Sequence, residues 1–116
     1  MELSTLFPVA LAGFVLFNLS RRLLGKVASD KARALVANGA SLVDVRSPAE
    51  HAAGHIAGSL NIPVGELAAR ITELGDKSRP VVVYCASGVR SARAAGTLRR
   101  AGFAEVYDLG AATRWG

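Results

Sequence analysis

The sequence predicts an α/β domain in which helices cover both faces of a parallel β-sheet. Short β-rich segments alternate with helical segments along the chain, which is the pattern of a parallel sheet. Residues 81–84 form a continuous apolar run, as expected of a strand that is buried on both faces. The chain has 116 residues, the length of one domain, which excludes an enzyme with a cleft between two domains.

The first 24 residues differ from the rest because no charged side chain lies between Leu3 and Ser20. As a helix, this stretch would be roughly 27 Å long, close to the thickness of a bilayer's hydrocarbon core. Arginines follow the stretch rather than precede it, the reverse of the charge order in a cleaved signal peptide. We therefore predict a transmembrane anchor over residues 1–24 and a domain over residues 25–116. A helix that lies on the membrane or packs on a partner protein is the alternative.

Positive charge is concentrated just after the apolar stretch. Residues 21–33 contain five basic side chains and one acidic side chain, +4 of the formal net charge of +5. This asymmetry predicts a single-pass protein whose domain lies in the cytoplasm. The basic cluster has no interleaved aromatic residues and no nucleic-acid reading motif, so we expect membrane lipid headgroups and not nucleic acid as its partner.

Local signals place the elements of the first half of the domain. A helix capped by Ser29 or Asp30 is predicted to run to about residue 37, where its apolar stripe ends at an Asn-Gly pair. The β-rich segment 41–45 predicts a strand. The sequence Ser-Pro-Ala-Glu at residues 47–50 is a capping box with proline at the first helical position, which predicts a short helix that ends before Gly54.

The second half continues the alternation. Residues 60–62 predict a short extended segment, and the apolar spacing of residues 64–74 predicts a helix. The apolar run at residues 81–84 predicts the most buried strand. A helix over residues 90–101, ended by a glycine, and a strand over residues 105–109 complete the pattern.

The chemistry is predicted where the buried strand ends, because ligands of open parallel sheets bind beyond the carboxyl ends of the strands. Cys85 is the only cysteine, which excludes an intrachain disulfide and a zinc cage of thiolates. The Cys85 loop (residues 85–90) runs from this strand into a helix, so its backbone N–H groups can converge on one anion. Gly88 permits the turn and Arg90 adds a permanent charge. We predict a reactive thiolate, with a buried structural thiol as the alternative.

At this point the residues resemble the rhodanese family. The Cys85 loop is similar to that family's active-site loop, and residues 44–46, Glu50 and residues 54–63 resemble its other signature. The resemblance covers the chain from about residue 31 to residue 115. It implies a rhodanese-like domain in which Cys85 is the nucleophile that carries sulfur, with no metal and no cofactor. The backbone N–H groups that would hold the persulfide are those of Ala86, Ser87, Gly88, Val89 and Arg90.

The activity implied by the resemblance is transfer of sulfane sulfur. Cys85 would take sulfur from thiosulfate or a low-molecular-weight persulfide and pass it to a thiol or cyanide. A carrier or sensor of sulfur for a membrane partner is one alternative. A phosphatase or arsenate reductase is another alternative. The resemblance disfavours it, because it implies that phosphatase relatives have a loop one residue longer, whereas only four residues separate Cys85 from Arg90. The loop also has no aspartate that could act as a general acid. The physiological donor and acceptor and the oligomeric state are left open.

Other polar residues have structural interpretations. Asp44 and Arg46 are predicted to form an ion pair that braces the neighbouring loops, with substrate contact by Arg46 as the alternative. His55, between turn glycines, is predicted to be a structural hydrogen bonder rather than a base for Cys85. His51, on a short helix, is expected to be solvated.

The end of the domain departs from the family's pattern. Gly110-Ala111 stands where the family often has two glycines, and alanine fits there only if its φ is negative. A final helix seen in many relatives is expected to be short or missing.

Overall fold

A computed structural model of the chain describes residues 25–116, and its four strands form one parallel sheet in the order β2-β1-β3-β4. The strands are β1 (Ser41–Asp44), β2 (Leu60–Asn61), β3 (Val81–Cys85) and β4 (Val106–Ala111). The α-helices are α1 (Ser29–Ala37), α2 (Pro48–Ala53) and α3 (Val89–Arg100), and the 3₁₀ helices are Val64–Glu66, Ile71–Leu74 and Ala112–Trp115. The parallel α/β architecture is confirmed.

Strand β3 organises the core because all five of its residues are buried. Val83 and Cys85 belong to the apolar cluster that contains the α3 residue Leu98. Val82 and Tyr84 point to the opposite face, into a second cluster that includes residues of α1. Helices therefore pack on both faces of the sheet, and the end of β3 lies between them.

One predicted helix is wrong. Residues 64–74 form two 3₁₀ helices, Val64–Glu66 and Ile71–Leu74, and not one α-helix. Arg70 has φ −110° and ψ 17°, which breaks the helical path between them. Seven of the eleven residues in this segment are strong helix formers, so tertiary packing and not local propensity decides against one α-helix. Burial of Leu67 and Leu74 keeps its apolar side on the core all the same.

Strand β4 is longer than predicted and contains a bulge. Val83 pairs with Asp108 but Tyr84 pairs with Gly110, so β4 carries one extra residue, Leu109, at this point. The shift places Ala111 beside Cys85. Ala111 has φ −73°, so alanine fits where relatives often have glycine, and a short 3₁₀ helix follows.

The predicted anchor, residues 1–24, lies outside the described residues. Among residues 25–116, no helix has both the length and the apolar character needed to cross a membrane.

Candidate active site

Cys85 is the last residue of β3, and its side chain is 0% exposed. The Gly88 N–H donates to Cys85 Sγ at 3.0 Å, and the Ser91 N–H donates to the same sulfur at 3.4 Å. Gly88 has φ +99°, a left-handed conformation that glycine adopts without strain. The Cys85 loop therefore turns back over the sulfur and presents backbone donors to it.

These donors lower the pKa of the Cys85 thiol. Burial acts to raise the pKa of Cys85, but hydrogen bonds from the Ser91 hydroxyl and from the N–H groups of Ser91, Gly88 and Ser87 outweigh it, so the pKa lies below its ordinary value of 9.0. The Ser91 hydroxyl is also placed to donate to the Gly88 carbonyl at 3.1 Å. Its single proton serves the carbonyl or the sulfur. A lowered pKa increases the reactive thiolate fraction near neutral pH.

The rest of the Cys85 loop contributes backbone groups to the site, while most of its side chains are exposed. The side chains of Ala86, Ser87 and Val89 are exposed, and that of Val89 is 76% exposed. The N–H groups of Val89 and Arg90 lie in the first turn of α3 and have no protein acceptor within residues 25–116. N–H groups without an acceptor can bind an anionic atom attached to the cysteine sulfur, such as the outer sulfur of a persulfide. That these two groups hold a persulfide stays a prediction.

Arg90 pins the loop through a partner that we did not predict for it. Its guanidinium donates to both carboxylate oxygens of Glu50, at 2.7 and 3.0 Å. The hydrogen bond with Glu50 is the main cause that raises the pKa of Arg90, and the charge of Cys85 adds to it. Arg90 thus joins the start of α3 to the start of α2 while it remains in electrostatic reach of the thiolate.

Asp44 is a fully buried carboxylate beside this loop, and it joins several elements. Its Oδ2 accepts from Arg46 at 2.8 Å and from the Tyr84 hydroxyl at 3.1 Å. The predicted ion pair is therefore confirmed, and Arg46 also donates to the Gly54 carbonyl at 2.7 Å. The expectation that His51 is solvated is wrong, because its Nδ1 lies 2.9 Å from Asp44 Oδ2. A buried carboxylate is stable only when hydrogen-bond donors surround it, and His51 is one of them.

The two histidines support the turn before β2. His55 Nδ1 hydrogen-bonds to the His51 carbonyl at 2.8 Å, and the two rings stack with centroids 3.7 Å apart. Cys85 is not among the hydrogen-bond partners of either ring in residues 25–116. His55 is accordingly a structural hydrogen bonder, as predicted. No group of three or more acidic, histidine or cysteine side chains in this part of the chain could hold a metal.

Two functional groups escaped the sequence analysis. Ser91 is the third residue of α3, where a backbone N–H points back at the preceding loop, and this position was the available signal. Tyr84 was assigned to the core as an apolar residue, but its hydroxyl also accepts from the Ile56 N–H at 3.1 Å and bonds with the Ser59 hydroxyl at 2.9 Å. A tyrosine hydroxyl buried in a strand needs partners, which was the missed signal.

Comparisons with known proteins agree with this geometry. The rhodanese-like domain family matches residues 28–115. The uncharacterized protein YqhL of Bacillus subtilis is 47% identical over 78 residues, which are 66% of this chain and 61% of that protein. The thiosulfate sulfurtransferase GlpE of Pseudomonas aeruginosa, strain LESB58, is 40% identical over 84 residues, 72% of this chain and 76% of the relative.

Solved structures give the same result. The human single-domain sulfurtransferase TSTD1 superposes with a TM-score of 0.69 at 33% identity, over 78% of this chain and 94% of that one. A rhodanese from E. coli, solved with anions, has a TM-score of 0.63 at 32% identity, over 66% of this chain and 91% of that one. The chain therefore belongs to the rhodanese-like domain family and is a sulfurtransferase of the rhodanese type.

Proposed function

We propose that this protein moves sulfane sulfur from thiosulfate or a low-molecular-weight persulfide to a thiol or cyanide through a persulfide on Cys85. The observation that carries the proposal is the Cys85 sulfur itself, which is buried, accepts two backbone N–H groups and has a lowered thiol pKa. The name of the Pseudomonas relative supports thiosulfate as a donor.

The reaction has two displacement steps. The Cys85 thiolate attacks the outer sulfur of thiosulfate, the sulfur–sulfur bond breaks, and sulfite leaves with the electron pair. The acceptor then attacks the outer sulfur of the persulfide and Cys85 leaves as a thiolate. Cyanide becomes thiocyanate and a thiolate becomes a persulfide. Both leaving groups are anions, so neither step requires a proton donor.

The loop favours sulfur over phosphorus chemistry. Only four residues separate Cys85 from Arg90, and the Gly88 N–H already approaches the cysteine sulfur to 3.0 Å. A loop closed this tightly suits one additional sulfur atom better than a tetrahedral phosphate. The loop also contains no aspartate to protonate the leaving group of a phosphoester.

Mass spectrometry of the intact protein tests the proposal. Incubation with thiosulfate alone should increase the mass of the protein by one sulfur atom, which cyanide then removes. Because Cys85 is the only cysteine, an adduct that cyanide removes can be assigned to it without digestion. The matched control, Cys85→Ser, should gain no mass.

Three outcomes separate the candidate functions. A folded wild-type protein that gains no sulfur from thiosulfate or from any small persulfide contradicts the proposal. An adduct that forms without measurable turnover favours a carrier or sensor of sulfur. Hydrolysis of an aryl phosphate to the phenol and inorganic phosphate, or reduction of arsenate, without any sulfur adduct favours the phosphatase or arsenate reductase class.

We further propose that residues 1–24 anchor the protein as a single membrane helix, with the domain in the cytoplasm and the basic residues at anionic lipid headgroups. The uncharged stretch from Leu3 to Ser20 and the arginines that follow it support this arrangement. The full-length chain should stay in the membrane pellet after alkaline extraction, and the domain should be digested by protease only from the cytoplasmic side.

A charge inside the stretch provides the matched comparison. Leu11→Lys should move the protein to the soluble fraction, because a lysine at the centre of a span costs about 3 kcal/mol. Thr72→Lys, at an exposed position of the domain, should have no effect. Release of the wild-type chain by alkaline extraction would contradict the membrane span.

A further inference from the structure

Lys26 contacts the Cys85 loop although it lies outside the family match, which begins at residue 28. Its ammonium is 2.6 Å from Asp108 Oδ2 and donates to the Gly88 carbonyl at 3.1 Å. The two charged side chains are only 19% and 5% exposed. The Lys26 ammonium is thus mostly buried and contacts the loop that holds the nucleophile. Burying a charge is costly, so this contact indicates a role for Lys26 in the structure of the loop.

The backbone holds Lys26 in place. Lys26 forms a parallel bridge with Asp108, and the Val27 N–H donates to the Asp108 carbonyl at 2.8 Å. These contacts add residues 26 and 27 to the free edge of β4. The Asp108 side chain also accepts the Gly110 N–H at 2.9 Å, so one carboxylate fixes both the lysine and the end of the strand.

The alkyl stem of Lys26 fits between two glycines. A Cβ atom on Gly88 would lie 3.5 Å from Lys26 Nζ, and one on Gly110 would lie 3.3 Å from Lys26 Cδ. Both glycines have positive φ, +99° and +86°. The lysine, the loop and the end of β4 therefore pack as one unit.

The Gly88 carbonyl links Lys26 to the sulfur. Three donors converge on this oxygen, the Lys26 ammonium and the Ser91 hydroxyl at 3.1 Å and the Ala92 N–H at 3.2 Å. A carbonyl oxygen has two lone pairs, so the lysine and the helix N–H satisfy it without the hydroxyl. The Ser91 proton is then available to Cys85, and the anchored carbonyl keeps the Gly88 N–H aimed at the sulfur.

We propose that Lys26 is a positioning residue, which fixes the Gly88 carbonyl so that the Gly88 N–H and the Ser91 hydroxyl both serve the Cys85 sulfur. This inference rests on the proposed function only in that it takes Cys85 as the reacting group.

The test is the pH dependence of alkylation of Cys85 by iodoacetamide in the full-length chain, followed by intact mass. Lys26→Met keeps the stem and removes the charge and the donors. We expect the apparent pKa of Cys85 to rise by about one unit in this variant, so that alkylation below the wild-type pKa slows roughly tenfold. The rates should converge at high pH. Alkylation needs no sulfur donor, so the result does not depend on whether sulfur transfer occurs.

Two further variants provide the controls. Lys31→Met removes a neighbouring ammonium that lies over the Tyr107 ring and should leave the alkylation profile unchanged. Lys26→Arg retains the charge and the donors and should recover most of the wild-type profile. If Lys26→Met does not fold, Asp108→Asn removes the ionic partner and should shift the profile in the same direction. An unchanged profile in a folded Lys26→Met variant, or a loss of rate that is equal at every pH, would overturn the proposal.

Discussion

At Cys85 two effects on the thiol pKa oppose each other. Removal from water disfavours the thiolate, whereas N–H and O–H donors of the loop and of the first turn of α3 favour it, and the donors prevail. The balance depends on a left-handed glycine and on the first turn of α3, which brings Ser91 to the sulfur. The pKa of the thiol is thus lowered by the Ser91 hydroxyl and by backbone N–H groups, and not by a neighbouring base.

Asp44 has a structural role, because its buried carboxylate hydrogen-bonds with the side chains of Arg46, His51 and Tyr84. We expect Asp44→Asn to reduce the free energy of unfolding by about 3 kcal/mol, since the amide leaves the Arg46 guanidinium without its carboxylate. Urea denaturation at neutral pH measures this change. Asp76→Asn, at an exposed site bonded only to Ser78, is the control and should change stability little. A loss equal to that of the control would show that Asp44 is not a structural centre.

The effect of Asp44 also depends on pH. Burial acts to raise the pKa of Asp44, but hydrogen bonds from Arg46 and His51 lower it below its ordinary value of 3.8. A carboxyl whose pKa is depressed by folding stabilises the fold above its unfolded pKa and loses this contribution as the pH falls through the folded pKa. The difference between wild type and Asp44→Asn should therefore shrink below about pH 4.

At the scale of elements, α2 depends on tertiary contacts. It has six residues, too few to be stable alone, and it begins with a capping box in which the Ser47 side chain accepts from the Glu50 N–H. The side chain of Glu50 then accepts both hydrogen bonds of Arg90 at the start of α3. One glutamate therefore caps one helix and pins the loop before another.

Glu50→Gln tests this link between helices. The hydrogen bond from Arg90, more than any other cause, lowers the pKa of Glu50 from 4.5 to about 2. Its ionised form therefore stabilises the fold above pH 4.5, and this contribution is lost as the pH falls from 4.5 towards 2. Glutamine can keep the cap but not the charge, so the variant should be less stable than wild type at pH 7.

The comparison at low pH is the decisive measurement. Urea unfolding should give the two proteins nearly equal stability near pH 2, where the carboxyl of Glu50 is protonated in the unfolded chain and about half protonated in the folded one, so little of its contribution is left. Glu66→Gln, which alters an exposed pair with Arg70 on a 3₁₀ helix, is the control. A stability difference that stays constant from pH 7 to pH 2 would show that the charge of Glu50 is not the cause.

Elements also differ in how far their own residues specify them. The capping box of α2 and the Asn-Gly end of α1 act within one turn of backbone, and the sequence predicts both helices. The predicted cap of α1 by Ser29 or Asp30 is wrong, because Ala28 is the N-cap and no side chain caps the helix. Residues 64–74 have the apolar spacing of a helix, but a pair of 3₁₀ helices buries the same leucines. The spacing of apolar residues predicts which side of a segment faces the core. It does not distinguish an α-helix from a 3₁₀ helix, because the two have similar periods.

At the scale of the whole molecule, the basic side chains around the Cys85 loop form ion pairs with carboxylates. Each of three basic side chains lies within 3 Å of a carboxylate, which offsets part of its charge at the loop. The pairs are Lys26 with Asp108, Arg46 with Asp44, and Arg90 with Glu50. Stabilisation of an anion on the sulfur then falls mainly to the Ser91 hydroxyl and to backbone N–H groups, which need no counter-charge.

The sequence by itself determined the parallel α/β architecture, the family, and the place of Cys85 at a strand end before a helix. These features depend on alternation, capping and turn residues, which act over a few positions of the chain. Only the tertiary structure decided which groups serve the sulfur and the loop. Arg90 meets a partner 40 positions away, and Lys26 meets Gly88 over 62 positions. Contacts of this range follow from how the strands register and pack, because no local pattern in the sequence encodes them.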